Sequence, residues 1–139
     1  MNYIKSCGFI AYKRINNDNY YLIITSINGD VGFPKGHVET NESEIETAMR
    51  ELKEETNVIV HNVPGFRKQI EYPLKNIPDT IKQSVYFLGK CISDDIICQV
   101  SEIKDARFLS YNEAIAALTF EETKSILTDA EKFIRNNDN

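Results

Sequence analysis

The residues best suited to chemistry are three glutamates at closely spaced positions, Glu51, Glu54 and Glu55. On a helix, Glu51 and Glu55 lie on one face and Glu54 is their neighbour. Like charges at this spacing repel one another, and carboxylates near a helix C-terminus also oppose the helix dipole. A divalent cation would relieve both penalties, because carboxylate oxygens are ligands that Mg²⁺ and Mn²⁺ prefer. Clustered glutamates also occur on solvated helix faces, so the helix alone leaves both interpretations open.

The helix that must carry these glutamates has clear boundaries. Ser43 with Glu46 three residues later is a capping box that predicts its start. Apolar residues then recur at offsets of three and four, which gives one stripe made of Ile45, Ala48, Met49 and Leu52. Asn57 can adopt the left-handed conformation that closes a helix. We therefore predict a helix over residues 44–56, with Glu51 and Glu55 partly buried beside the stripe.

The negative charge of the chain is concentrated around this helix. The net charge is −5, and residues 36–58 hold seven glutamates but only two basic residues, so this segment carries the whole excess. An acidic chain is unlike proteins that coat nucleic acid or anionic membranes. We therefore expect no membrane association and no stable nucleic-acid complex.

The length and composition predict a single domain over residues 1–139. Hydrophobic residues make up 42% and charged residues 27%, as in folded globular proteins. There is no apolar run of the roughly 18 residues that a membrane span needs, and no secretory signal is recognisable. Three cysteines without metal-type spacing indicate reduced thiols, and we expect a cytoplasmic location.

The remaining segments predict a mixed sheet with helices on its faces, an α/β or α+β domain. The expected strands are residues 5–13, 20–27, 58–63, 66–72, 83–92 and 106–109. A loop is expected over residues 32–37 because of Pro34 and its flanking glycines. Capping boxes at Ser110 with Glu113 and at Thr119 with Glu122 predict helices over residues 111–118 and 120–135. Residues 136–139 are expected to fray.

The spacing around the acidic helix resembles the Nudix box, the signature of the Nudix hydrolases. That pattern is glycine, five residues, glutamate, seven residues, then R-E-aliphatic-x-E-E-x-G-aliphatic. Here the matching residues are Gly36, Glu42 and Arg50-Glu51-Leu52-Lys53-Glu54-Glu55-Thr56-Asn57-Val58. Only Asn57 departs from this pattern, which has glycine at that position. Asparagine is the next best residue for a left-handed helix cap. We therefore expect glycine to replace Asn57 without loss.

The resemblance implies an α/β/α sandwich with a mixed sheet and a role for each residue of the box. The loop backbone near Gly36 and the carboxylates of Glu51, Glu54 and Glu55 would bind Mg²⁺ or Mn²⁺. Arg50 would orient the helix glutamates. Glu42 would pair with Arg50 and would be structural rather than catalytic.

The implied reaction is hydrolysis of a nucleoside diphosphate linked to another group, with divalent ions that polarise a phosphoryl oxygen and lower the pKa of an attacking water. Residues 33–39 and further segments resemble a subgroup of the family, the asymmetric diadenosine tetraphosphate hydrolases. That likeness implies phosphate contacts for Lys35 and Lys82. His37 would either contact phosphate or pack.

The same likeness points to residues outside the box. Glu102 matches a region that holds an additional glutamate, so it would be a further metal ligand or the base for water. Tyr72 and Phe120 match positions that sandwich an adenine. Aromatic residues of an α/β protein more often belong to the core, and that interpretation stays open for both.

The leading functional hypothesis is an enzyme that cleaves diadenosine tetraphosphate, a dinucleoside polyphosphate, to ATP and AMP. The same machinery could act on RNA 5′ ends, on diphosphoinositol polyphosphates or on damaged nucleoside triphosphates. Diphosphoinositol substrates would need a larger basic pocket than this acidic chain suggests. A non-catalytic nucleotide-binding module is the alternative from another class, although no glutamate of the box is lost.

Overall fold

The computed structural model describes residues 1–137. Residues 138 and 139, the end of the segment expected to fray, lie outside the described residues. The elements, in chain order, are β1 (Asn2–Ile15), β2 (Asp18–Ser26), β3 (Val31–Gly32), β4 (Lys35–His37), α1 (Glu44–Thr56), β5 (Ile59–Pro73), β6 (Thr80–Ser93), β7 (Ile103–Ser110), α2 (Tyr111–Ala117) and α3 (Glu121–Asn136).

The strands of the described residues form one mixed sheet. Its main order is β3-β2-β1-β6-β5, while β4 also pairs with β1 and β7 also pairs with β2. The β1–β6 pair is parallel and the other pairs are antiparallel. This is the expected mixed α/β architecture. None of the helices in residues 1–137 combines the length and the apolar character that crossing a membrane requires.

Each face of the sheet packs against helices. Helix α1 places Ala48 and Leu52 against Cys7 and Phe9 of β1, and all four side chains are fully buried. Helices α2 and α3 cover the other face, where their apolar residues pack around Ile10 and other side chains of the sheet. The helices thus form the outer layers of an α/β/α sandwich.

Helix α1 has the predicted boundaries. The capping box at its start is formed in both directions, between Ser43 and Glu46. Asn57 closes it in the left-handed conformation, with φ of 69°. Ile45 departs from the predicted stripe, since it is 37% exposed and belongs to neither core cluster.

The predicted loop over residues 32–37 is wrong in part. Lys35–His37 forms the short strand β4, which pairs with residues 6–8 of β1. This pairing needs a glycine in β1, because a Cβ on Gly8 would lie 2.2 Å from the carbonyl oxygen of Pro34. The two strands predicted between residues 58 and 72 are one long strand, β5, whose register shifts between Asn62 and Arg67.

The capping box predicted at Thr119 is also wrong. Helix α3 begins after Phe120, and no side chain caps its first turn. The Thr119 hydroxyl instead accepts a hydrogen bond of 2.8 Å from the backbone N–H of Val31. It therefore ties the start of α3 to strand β3. At the other end of α3 the helix continues through Asn136, which was expected to fray.

Candidate active site

Arg50 donates hydrogen bonds to three glutamates in and beside the acidic helix. Its Nε and Nη2 donate to the two carboxylate oxygens of Glu42 at 2.6 and 3.0 Å. Its Nη1 donates to Glu51 at 2.8 Å and to Glu54 at 3.3 Å. Its Nη2 also donates to the backbone carbonyl of His37 at 3.0 Å. One guanidinium therefore fixes the directions of two helix carboxylates and ties the helix to strand β4.

Glu42 is a partner of Arg50, and both of its carboxylate oxygens accept hydrogen bonds from the protein. The hydrogen bonds from Arg50 lower the pKa of Glu42 to about 2. Its Oε1 also accepts from the Thr47 hydroxyl at 2.8 Å and from the backbone N–H of Glu39 at 3.0 Å. Its oxygens are engaged within the protein, which suits the structural role expected from the sequence.

Gly36 has no side chain, and the Glu51 carboxylate occupies the space that a side chain would need. Strand β4 brings Gly36 opposite Cys7 of β1, and a Cβ added at Gly36 would lie 1.9 Å from the Oε1 atom of Glu51. Any residue larger than glycine would therefore compete with this carboxylate for the same space. The glycine and the glutamate of the motif are thus in direct contact, although they are fifteen positions apart in the chain.

Glu55 is the buried carboxyl of the group, with 5% of its surface exposed. Burial raises its pKa, and a hydrogen bond shared with Glu51 and the charges of Glu51 and Glu102 act in the same direction. The positive charge of Lys35 opposes the shift. Two carboxyl groups within hydrogen-bonding reach of each other in a buried site favour either a shared proton or a bound cation.

The donors present fit a divalent cation of the Mg²⁺ or Mn²⁺ type. Glu51 and Glu55 offer converging carboxylate oxygens, and Glu54 is 48% exposed and held by Arg50 at the edge of the same face. Within residues 1–137, no three His, Cys, Asp or Glu side chains already converge as a preformed metal cluster. The fit therefore rests on the donor chemistry and on the repulsion between Glu51 and Glu55.

Glu102 reaches the acidic helix through a loop that is bonded to the end of α1. The backbone N–H of Gln99 donates to the carbonyl of Glu55 at 3.0 Å, and the carbonyl of Gln99 accepts from the N–H of Glu102 at 3.0 Å. The backbone N–H of Ile27 donates to the carbonyl of Glu102, also at 3.0 Å. These bonds explain how a residue far along the chain comes to act electrostatically on Glu55.

Asn57 contributes to the same loop, which the sequence did not suggest. Its side-chain amide donates to the backbone carbonyl of Asp95 at 3.0 Å and accepts from Lys53 at 2.8 Å. Asn57 therefore makes hydrogen bonds that glycine could not make, in addition to closing the helix. Its side chain connects the end of α1 to the segment that carries Glu102.

A cavity of about 750 Å³ joins the acidic residues to two aromatic side chains. Lys35, Glu55 and Glu102 contribute to its wall, as do Tyr72 and Phe120. Burial lowers the pKa of Lys35, and the nearby negative charges of Glu55 and of the surface residue Asp30 oppose that shift. Lys35 thus brings an amino group into the wall of the cavity near Glu55.

Tyr72 and Phe120 are not core residues. Tyr72 is 40% exposed at the end of β5, and Phe120 is 50% exposed at the start of α3. Large aromatic surfaces left open beside a cavity are suited to stacking on a flat ligand. The structure therefore favours the ligand-facing interpretation of both residues over the core interpretation.

Lys82 and His37 lie together but are not among the residues that line the cavity. The Lys82 Nζ and the His37 Nε2 are 3.1 Å apart. Burial lowers the pKa of Lys82 to about 8, and burial with the charges of Lys82 and Lys35 lowers the pKa of His37. Lys82 is directly opposite Tyr72 in the β5–β6 ladder. The pair therefore flanks the aromatic end of the site.

Further residues of the cavity wall were not singled out by the sequence. Ile24, Ile70, Ser84 and Glu122 are among them. The first two are ordinary strand residues, and nothing in their local pattern distinguishes a cavity wall from a core. Ser84 could have been noticed, because it is a hydroxyl residue at the start of the apolar run Val85-Tyr86-Phe87-Leu88.

The chain is similar to known proteins over nearly its whole length. The chain is 28% identical to the rat (Rattus norvegicus) bis(5′-nucleosyl)-tetraphosphatase [asymmetrical], over 94% of this chain and 95% of the rat protein. It is 24% identical to the enzyme of the same name from Caenorhabditis elegans, over 94% of this chain and 96% of that protein. The crystal structure of a C. elegans Ap4A hydrolase binary complex superposes with a TM-score of 0.86, at 24% identity, over 96% of this chain and 98% of the other. The family model described as NUDIX domain matches residues 8–130. The chain therefore belongs to the Nudix family.

Proposed function

We propose that the chain is a pyrophosphohydrolase that uses Mg²⁺ or Mn²⁺ and cleaves diadenosine tetraphosphate asymmetrically to ATP and AMP. The observation that carries the proposal is the single cavity that connects Tyr72 and Phe120 to Lys35, Glu55 and Glu102. Relatives named as asymmetrical bis(5′-nucleosyl)-tetraphosphatases align over nearly the whole chain, which supports the same substrate class.

The aromatic end would hold one nucleoside of the substrate. Tyr72 and Phe120 both expose ring surface and both line the cavity, so an adenine could lie between them. Lys82 is opposite Tyr72 in the sheet, and Lys35 is nearer the acidic residues. These two lysines would neutralise successive phosphates along the path from the base to the helix carboxylates, with His37 as a further contact through Lys82.

The acidic end would carry out the hydrolysis. Glu51, Glu54 and Glu55, with the backbone near Gly36, are the groups that would hold the divalent ions. When bound, such ions neutralise phosphate oxygens and lower the pKa of a coordinated water. Glu102 would act as a further ligand or would accept a proton from the attacking water.

The roles within the chain differ in kind. Arg50 holds Glu51 and Glu54 by hydrogen bonds and would act through them, as a positioning residue. Glu42 would hold Arg50 in turn. Glu55 is buried, so the charge on this carboxyl depends strongly on what binds beside it.

The products depend on which phosphate lies at the acidic end. If the site grips one adenosine and places the fourth phosphate from that end at the carboxylates, water attacks that phosphate. The products are then ATP from the gripped end and AMP from the other, not two molecules of ADP. The atoms balance, because one water is added across a single P–O–P bond.

Product analysis after hydrolysis in ¹⁸O-labelled water tests the proposal. Label in AMP, with unlabelled ATP as the co-product, is the expected result. Two molecules of ADP would contradict the proposed geometry. Rapid cleavage of RNA 5′ ends or of damaged nucleoside triphosphates, without cleavage of diadenosine tetraphosphate, would show a different substrate for the same machinery.

Binding of the nucleotide without turnover of any of these substrates would instead show a non-catalytic nucleotide-binding module. The proposal also includes a cytoplasmic location. It is supported by three cysteines that are free thiols in the described residues.

A further inference from the structure

Ser84 belongs to the wall of the cavity, and its hydroxyl has no hydrogen-bond partner among residues 1–137. The residue is 1% exposed, so its Oγ atom is almost completely shielded from bulk solvent. Buried hydroxyl groups in folded proteins nearly always have a partner, because an unpaired one loses its hydrogen bonds to water without replacement. An unpaired hydroxyl in the wall of a binding cavity is therefore available to a ligand.

The surroundings of Ser84 indicate which part of a ligand it meets. Side chains alternate along a strand, so Ser84 shares a face of β6 with Lys82 and Tyr86. Ile70 is directly across the ladder on β5, and Tyr72 is the next residue of β5 on the same face. Ser84 thus lies between Ile70 and the Tyr86 ring, next to the exposed Tyr72 and beside Lys82 on its own strand.

A neutral hydroxyl beside Ile70, Tyr72 and Tyr86 suits the edge of a flat heterocycle better than it suits a phosphate. Phosphates need positive charge, which Lys35 offers near Glu55 and Lys82 offers beside His37. Ser84 could offer phosphate only one neutral donor.

We infer that Ser84 is a specificity-determining residue whose hydroxyl hydrogen-bonds the edge of the nucleobase held between Tyr72 and Phe120. A hydroxyl can donate to a ring nitrogen or accept from an exocyclic amino group, so it distinguishes a base with such an edge from a ligand without one. The inference rests on the proposed function for the position of the base.

Two variants separate this role from a structural one. Ser84→Ala removes the unpaired hydroxyl, whereas Thr80→Val removes a hydroxyl at the start of the same strand that already donates to the carbonyl of Pro78 at 3.1 Å. Thr80 is also buried, at 4% exposed, but does not line the cavity. It is therefore a matched control for the loss of a buried hydroxyl.

The test measures binding of ATP and of ribose 5-triphosphate by calorimetry, in excess chelator so that no turnover occurs. Ser84→Ala should bind ATP roughly three- to tenfold more weakly than the wild type, the loss typical of one hydrogen bond. It should bind ribose 5-triphosphate as the wild type does, because this ligand lacks the base. Thr80→Val should leave both affinities unchanged. Equal ATP affinity in Ser84→Ala and the wild type would overturn the inference.

Denaturant unfolding of the free protein gives a second measurement. Ser84→Ala should be at least as stable as the wild type, because it deletes a buried polar group without a partner. Thr80→Val should unfold at lower denaturant concentration, because it leaves the Pro78 carbonyl without that donor. A Ser84→Ala variant that loses as much stability as Thr80→Val would show a structural hydroxyl and would overturn the inference.

These measurements remain distinct from the product assay. If the wild type does not cleave diadenosine tetraphosphate but its ATP affinity depends on Ser84, the proposed function fails and the inference about Ser84 stands. If the wild type cleaves it to ATP and AMP, and Ser84→Ala has an unchanged KM and ATP affinity, the proposed function stands and the inference fails.

Discussion

The Glu51 carboxylate occupies the space that a side chain on Gly36 would need, since a Cβ there would lie 1.9 Å from its Oε1 atom. Strand β4 holds Gly36 by its pairing with Cys7, while Arg50 holds Glu51 from the other side at 2.8 Å. The position of the carboxylate is thus fixed by a backbone and a guanidinium together. The glycine of the motif is required for the position of a carboxylate, not for a left-handed backbone.

The first prediction is that Gly36→Ala separates activity from stability. The added methyl meets the flexible end of Glu51, which can move away, so the fold should change little. The carboxylate would then leave its place beside Glu55, and turnover should fall at least tenfold. Steady-state kinetics and denaturant unfolding of the same preparation measure the two effects.

Gly8→Ala is the matched comparison for Gly36→Ala. Its methyl would lie 2.2 Å from the backbone carbonyl of Pro34, which cannot move without displacing strand β4. It should therefore destabilise the protein by about 1–3 kcal/mol, the range typical of overpacking. Full turnover in Gly36→Ala would contradict the assignment of Glu51.

The second prediction concerns the pH dependence of stability through Glu55. Because burial and Glu51 raise its pKa, the folded protein holds this proton more tightly than the unfolded chain does. The group therefore favours folding most strongly below about pH 4.3, the ordinary pKa of glutamate, and this contribution is lost progressively as the pH rises from there through the raised pKa of the folded protein. Glu55→Gln should remove this decline, so the metal-free variant should be at least as stable as the wild type at neutral pH.

The same variant tests the metal. Wild-type protein should unfold at a higher temperature when Mg²⁺ or Mn²⁺ is added, because a ligand that binds only the folded state stabilises it. Glu55→Gln should show a much smaller shift and should lose most turnover. An unchanged melting temperature of the wild type at millimolar metal, or full activity in excess chelator, would contradict the metal-binding role.

A comparison of α1 with strand β4 shows which elements of the fold could be predicted from the sequence. The boundaries of α1 follow from local signals, namely the capping box at Ser43 and the left-handed residue Asn57, so they could be predicted. Strand β4 could not, because it depends on pairing with residues 6–8, far away in the chain, and on the close approach of the Pro34 backbone to Gly8.

The site divides in the same way. Arg50 and Glu51 lie in α1 and Glu42 lies just before it, so the spacing in the sequence is enough to predict that these residues interact. The unpaired hydroxyl of Ser84 and the contact from Asn57 to the carbonyl of Asp95 depend on how separate strands and loops pack. Thr119 matched a capping box in its spacing, but strand β3 offered it a backbone N–H and that tertiary contact prevailed.

The third prediction concerns Asn57. Replacing it with glycine keeps the left-handed cap but removes the hydrogen bonds to Lys53 and to the Asp95 carbonyl. We expect a loss of about 0.5–1.5 kcal/mol in the free energy of unfolding, the range for one net hydrogen bond. Turnover should also fall, because the loop that carries Glu102 is less firmly held. Lys53→Met removes only the exposed lysine contact and should change neither quantity appreciably.

The last prediction separates the two ends of the cavity by kinetics. Phe120→Ala should remove about 1–3 kcal/mol of base stacking, which raises KM for diadenosine tetraphosphate while kcat changes little. The backbone carbonyl of Phe120 would still accept the hydrogen bond from Thr123, so α3 should begin as before.

Glu102→Gln should show the opposite pattern, a lower kcat with KM nearly unchanged, because its carboxylate acts on the water or the metal and not on the base. Tyr3→Ala removes an aromatic side chain that is 58% exposed and does not line the cavity, so it should change neither constant. Equal losses of kcat in Phe120→Ala and Glu102→Gln would mean that the aromatic residue supports the chemistry rather than the base, and would contradict the assignment of a base site at this end.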